Sequence, residues 1–135
     1  MSLRKDLKQT AKSISRQQDV AVQLQGLLTS IERAERTISD LKAELQSVNE
    51  KHRERRTTQE DIDYLTALLN CAHRKLGWEK QVLSLRKRAP ALMQGIVEIM
   101  NDPQHPPSEE MCATLLGALQ QVKAAMERLE TVGLN

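Results

Sequence analysis

The sequence predicts an all-α protein, an elongated three-helix bundle with a projecting antiparallel coiled-coil hairpin, and three observations predict it. Aromatic residues make up 1% of the chain, with one Trp, one Tyr and no Phe. Strands draw on β-branched and aromatic side chains, whereas long helices are built from the Leu, Ala, Gln, Glu, Lys and Arg that dominate here. No proline precedes Pro90, and Gly26 is the only glycine in the first 76 residues, so nothing forces an early break. Apolar residues recur at steps of three and four along most of the chain, the spacing that aligns them on one stripe of a helix. Composition does not shift internally, so one helical domain spanning residues 1–135 is expected.

A first helix is expected over residues 2–56. Leu24, Leu27, Ile31, Ala34, Ile38, Leu41, Leu45 and Val48 make one seam of four heptads. Upstream, Leu3, Leu7, Ile14, Ala21 and Leu28 follow a seam displaced by three residues, a stammer that rotates the contact face. The stretch from Lys51 through Arg56 ends the pattern and places cations where the carbonyl end of a helix favours them.

Thr57 or Thr58 then serves as N-cap, with Glu60 or Asp61 as capping-box partner, so a second helix is expected over residues 58–100. The short turn makes it antiparallel to the first. It begins with a narrow seam of Ile62, Leu65, Leu69, Ala72 and Leu76, and later gains a second of Val82, Leu85, Ala89, Leu92, Ile96 and Ile99. Such a widening arc serves two neighbours. Pro90 disfavours helical geometry at Ala89, which points to a kink there.

Residues 101–107, with Pro103, Pro106 and Pro107, form the one clear loop. Ser108, Glu109 and Glu110 open a third helix expected over residues 108–132, whose seam is Met111, Leu115, Ala118, Val122, Ala125, Leu129 and Val132; Gly133 is the expected C-cap. At about 1.5 Å per residue, the first two helices are ~80 and ~60 Å long. The third therefore covers only part of them, from about Ile14 to Ile38 of helix one and Val82 to Met100 of helix two. From about Leu41 to Leu69 a two-stranded hairpin is left. Gly26, Gly77, Gly95 and Gly117 fall inside helices; they mark either close helix approach or glycine merely tolerated in long, well-packed helices.

For function, the sequence speaks mainly by its surfaces. The net charge of +2 does not imply nucleic acid or an anionic membrane. Its distribution is polar: residues 1–16 carry five cations against Asp6, and from Glu98 onward acids outnumber bases six to two. Cys71 and Cys112 have no framework spacing, and no apolar stretch resembles a signal peptide or membrane span, so a cytoplasmic location, with the nucleus not excluded, is expected.

No P-loop, dinucleotide-binding turn, nucleophile elbow or helical zinc-protease pair is present, so neither catalysis nor a cofactor is expected. Cys71 and His73 are two apart and diverge on a helix, which speaks against a shared metal. Glu60, Asp61 and Asp63 sit at a helix start, where capping accounts for them better than acid–base chemistry.

Basic residues form a stripe of Lys5, Lys8, Lys12 and Arg16, a cluster of Lys51, Arg53, Arg55 and Arg56 at the hairpin tip, and a patch of Arg86, Lys87 and Arg88. They suit phosphate contacts, but the aromatics that stack on bases are nearly absent and acids are interleaved, which favours a solvated charged face. Leu3, Leu7 and Ile14 overshoot the bundle and call for a covering partner, or else the end frays. Trp78, in line with Val82, is read as a core residue before it is read as an interface anchor. The expected function is a non-enzymatic protein–protein interaction protein: an adaptor, tether or complex subunit, self-associating as a dimer. The partner interface expected is Leu3, Leu7, Ile14 and Trp78. Two alternatives are a nucleic-acid-associated protein using the basic residues and a helical chaperone that holds a client segment.

Overall fold

The computed structural model describes residues 3–53 and 57–134, and the chain forms three helices in antiparallel succession. Helix α1 is Leu3–His52, α2 is Thr58–Met100 and α3 is Glu109–Leu134; no strand occurs among the described residues. α1 is the spine on which both α2 and α3 pack.

One face of α1 supplies the largest share of the core. Val20, Leu24, Leu27, Ile31, Ala34, Ile38 and Leu41 step by four and three along it and are all buried, with Ala21 and Leu28 half-buried beside them. α3 answers with Leu115, Ala118, Val122, Ala125 and Leu129, each buried. α2 contributes Cys71, Trp78, Val82, Leu85, Ile96 and Ile99. All large groups in this core but Trp78 are aliphatic, and their burial is the main stabilising term. Trp78 fits because Ala34 is small: the indole lies over α1, and its Nε1–H donates to the Ala34 carbonyl at 2.8 Å.

Local chemistry fixes the ends. The Thr57 hydroxyl accepts from the Glu60 backbone N–H at 3.2 Å, capping α2, and Ser108 Oγ accepts from the Met111 N–H at 3.1 Å, capping α3. Each cap satisfies an N–H that the first turn leaves without a helical partner. Between α2 and α3, Asp102 Oδ1 accepts from the N–H groups of Gln104 and His105 and rounds the loop. Gln17, buried on α1, donates to the His105 carbonyl and ties that loop to the spine.

Two expectations are corrected, and the open question of the glycines is decided. The Ile62, Leu65, Leu69, Ala72 and Leu76 seam does not face α1; all five are exposed, and the inward face of this half of α2 is Tyr64, Ala67, Leu68 and Cys71. A rod packs along one line, and the line through Cys71, Trp78, Val82 and Leu85 runs on to Ile99, whereas the other stops at Arg86 and Pro90. α3 continues through Gly133 to Leu134, so Gly133 does not terminate it. The internal glycines are not needed for close approach: a Cβ on Gly26, Gly77 or Gly117 would meet nothing within 4 Å, and on Gly95 it would make an ordinary 3.7 Å contact with Val20. At Pro90 the helix passes without a break.

α3 stops alongside Lys42, whose ammonium donates to the Val132 carbonyl. Beyond that level α1 and α2 continue as the projecting hairpin. His52 and Tyr64 stack near its tip with ring centroids 3.6 Å apart, and the Tyr64 hydroxyl donates to Asn49 at 2.8 Å.

Candidate protein-binding surface

The two faces of α2 differ in what they touch. The inward line is filled by α1 and α3, and the outward line is covered by nothing among the described residues: Ile62, Leu65, Leu69, Leu76 and Leu83 keep between 52% and 62% of their surface exposed. Scattered exposed leucines need no explanation. Here Ile62, Leu65, Leu69, Ala72 and Leu76 recur at heptad spacing, with Leu83 one place beyond Glu79, so they form one stripe along the helix.

A second stripe lies on the N-terminal overhang of α1. Leu3 is 76%, Leu7 63% and Ile14 49% exposed, the sites named from sequence as a partner surface. The stripe runs straight into Gln17, Ala21 and Leu24 of the bundle, but among the described residues no helix reaches far enough to cover it. Trp78, named with them, is placed elsewhere: it is buried in the core, its N–H satisfied by Ala34, so its ring anchors α2 to α1.

Between α2 and α3 the bundle opens into a groove of about 680 Å³, floored by Trp78, Val82 and Leu129 and edged by Leu83. Arg86 and Glu130 pair across it at 3.3 Å. A smaller, more apolar groove of about 350 Å³ lies between α1 and α2 where α3 has ended, lined by Ile38, Leu41, Leu45, Leu68, Cys71 and Ala72.

No family model matches the chain, and no curated protein or solved structure matches it. What the surfaces can do therefore rests on their own chemistry.

The basic residues do not converge on one place. Lys5, Lys8 and Lys12 are exposed along the overhang, while Arg16 pairs with Glu98 of α2. Arg53 is exposed at the tip, and Arg55 and Arg56 lie outside the described residues. The other cross-helix pairs, Arg74 with Glu44 and Arg128 with Glu35, run along the flanks of α1. Hydrogen bonding to the Glu44 carboxylate raises the Arg74 pKa above its ordinary value. Such exposed pairs orient the helices more than they stabilise them.

Cys71 is buried and faces α1, whereas His73 is exposed, so the two diverge as their spacing predicts. Among the described residues no three His, Cys, Asp or Glu side chains come together as a metal site. No helix among them is long and apolar enough to cross a membrane.

Proposed function

We propose that this chain is a non-enzymatic protein–protein interaction protein, an adaptor, tether or complex subunit that binds through the outward seam of α2 and the overhang of α1. One observation carries the reading: α2 has two heptad lines, one already filled within the molecule and the other, with five large aliphatic side chains, turned to solvent. Leaving such a stripe in water forfeits burial energy that a partner helix would recover. The grooves support a binding role over a catalytic one, because the larger is lined by Trp78, Val82, Leu83 and Leu129 and its charged edge, Arg86 and Glu130, is already paired. Cys71 and Cys112 are both free thiols, which suits a reducing compartment, cytoplasmic or nuclear.

A photo-activated cross-linker placed at Leu76 tests this, against the same group at Gln121 on the exposed face of α3. Adducts in native extract should form at Leu76 and not at Gln121. Equal labelling at both positions would overturn the reading.

Nucleic acid is the second reading, since Lys8, Lys12 and Arg53 are exposed. It ranks lower because Arg16 and Arg86 are engaged by Glu98 and Glu130. Retention of DNA or RNA that falls steeply with salt would favour it. A chaperone that holds a client helix would use the groove between α2 and α3, and would be blocked by a bulky label on Leu83.

A further inference from the structure

We infer that the α1 overhang of one copy lies in the trough between α2 and α3 of a second copy, which returns the same contact. The result is a two-fold dimer whose spines run antiparallel past each other near Ser15. The inference deepens the overhang half of the interaction reading above and rests on it.

Two contacts bracket the receiving surface. Met100 Sδ lies 3.8 Å from Cys112 Sγ at the foot of the bundle, and Arg86 meets Glu130 higher up. Steps of three, four or seven lead from Met100 through Val97 and Met93 to Arg86, and from Cys112 through Leu116, Leu119 and Met126 to Glu130. Residues at such steps share a helix face, so the two lines look at each other across the gap. Both helices pack on α1 and hardly on each other, and Met93, Val97 and Leu116 stay exposed. The gap is an apolar trough on the side away from the spine.

The overhang carries the matching face. Leu3, Leu7, Thr10, Ile14, Gln17, Ala21 and Leu24 make one unbroken heptad line. From Gln17 upward that line belongs to the surface α1 already packs into its own bundle. Below Gln17 it continues past the end of the bundle with nothing opposite. Antiparallel spines present it to the trough of the other copy, opposite that copy's own spine, and complete a four-helix bundle at each end.

Charge singles out a second copy as the occupant. Between Arg88 and Lys123 the chain has no Lys or Arg but four acids, Glu98, Asp102, Glu109 and Glu110, whereas the overhang has Arg4, Lys5, Lys8 and Lys12 against Asp6. One pair of this kind, Arg16 with Glu98, is made inside each copy where the overhang leaves it. The cations beyond it project away from their own acids and toward those of the second copy. With the spines crossing at Ser15, Leu7 comes level with the second copy's Met93. Arg4 and Lys8 then lie on the flank facing its α3, with Lys8 within about one turn of Glu109, where the α3 line begins. Asp6 lies on the other flank, facing α2, and the exposed charge nearest its level there is Lys87.

Sedimentation velocity of the full chain at micromolar concentration should give twice the monomer mass. Leu3→Asp with Leu7→Asp should return the monomer mass, and so should Val97→Asp with Leu116→Asp. Helical circular dichroism should be unchanged in each, because all four side chains lie outside the core. Leu69→Asp with Leu76→Asp should leave the dimer intact. Lys8→Glu should weaken it several-fold, and Glu109→Lys in the same chain should restore it. In a Cys71→Ser, Cys112→Ser background, a short bismaleimide should link copies carrying Leu7→Cys and Met93→Cys, two sites that one copy holds too far apart to join. It should not link copies carrying Leu7→Cys and Leu69→Cys. A wild-type monomer, a dimer that survives either pair of overhang or trough substitutions, a failed charge exchange, or linkage through Leu69→Cys would each overturn the inference. If the wild type is monomeric while Leu76 still cross-links to another protein in extract, the self-pairing falls and the broader interaction reading stands.

Discussion

The Nε1–H of Trp78 donates to the backbone carbonyl of Ala34 at 2.8 Å, a bond between residues 44 positions apart that pins α2 to the small-residue gap in the α1 seam. Truncating Trp78→Ala should cost about 3–5 kcal/mol, as for other buried rings. Trp78→Phe keeps most of the buried area, and the Ala34 carbonyl retains its helical partner, so the loss should be nearer ~1 kcal/mol. Urea unfolding followed by circular dichroism measures both.

Inward and outward leucines should separate cleanly. Leu27 is fully buried and Leu69 is mostly exposed. At concentrations low enough for a single copy, Leu27→Ala should cost about 2–5 kcal/mol, and Leu69→Ala about 0.5 kcal/mol or less. Comparable losses in urea unfolding would mean that the face of α2 assigned to the core is the wrong one.

How much of this was legible in the sequence divides along the same line. The helical class, the two N-caps and the α3 seam follow from local spacing and capping residues, and they appear where Ser108, Thr57 and Met111 through Leu129 place them. The face of α2 did not follow, because two heptad lines coexist between Ile62 and Leu83 and periodicity cannot rank them. A signal was present: extending the Val82 line backward by steps of four and three passes through Trp78, Lys75, Cys71, Leu68 and Tyr64, unbroken but for Lys75. The overhang residues Leu3, Leu7 and Ile14 were legible from helix length alone, and the burial of Trp78 from its place in line with Val82, whereas its partner across the core, Ala34, is a pairing no local pattern reveals.

Replacing Gly77→Ala or Gly117→Ala should stabilise the chain by about 1 kcal/mol each, since a methyl at either position meets nothing and glycine is a poor helix residue. The two sites are on different helices and should add. Thermal unfolding of the single and double variants would show an upward shift; a downward one would reveal a neighbour at those faces.

Loss of the caps should act at the helix starts. Thr57→Ala and Ser108→Ala each remove an acceptor for a first-turn N–H, and each should cost about 1 kcal/mol. Amide hydrogen exchange should quicken first at Glu60 in one variant and at Met111 in the other.

Thiol chemistry distinguishes the two cysteines. Cys71 is buried against α1, and Cys112 is half-buried at the start of α3 beside Met100 and Pro107. Cys112 should react with a colourless aromatic disulfide reagent under native conditions, and Cys71 only when urea opens the hairpin. Equal rates would contradict the placement of Cys71.

The meeting of Val132 with Lys42 fixes more than the limit of α3. Because that contact lies on the spine some 39 residues from Leu3, the rise of the helix holds Leu3 and Val132 about 60 Å apart. Whatever is joined to one is kept at arm's length from whatever is joined to the other. The length of the spine, more than any contact along it, thus sets how far apart its two ends stand.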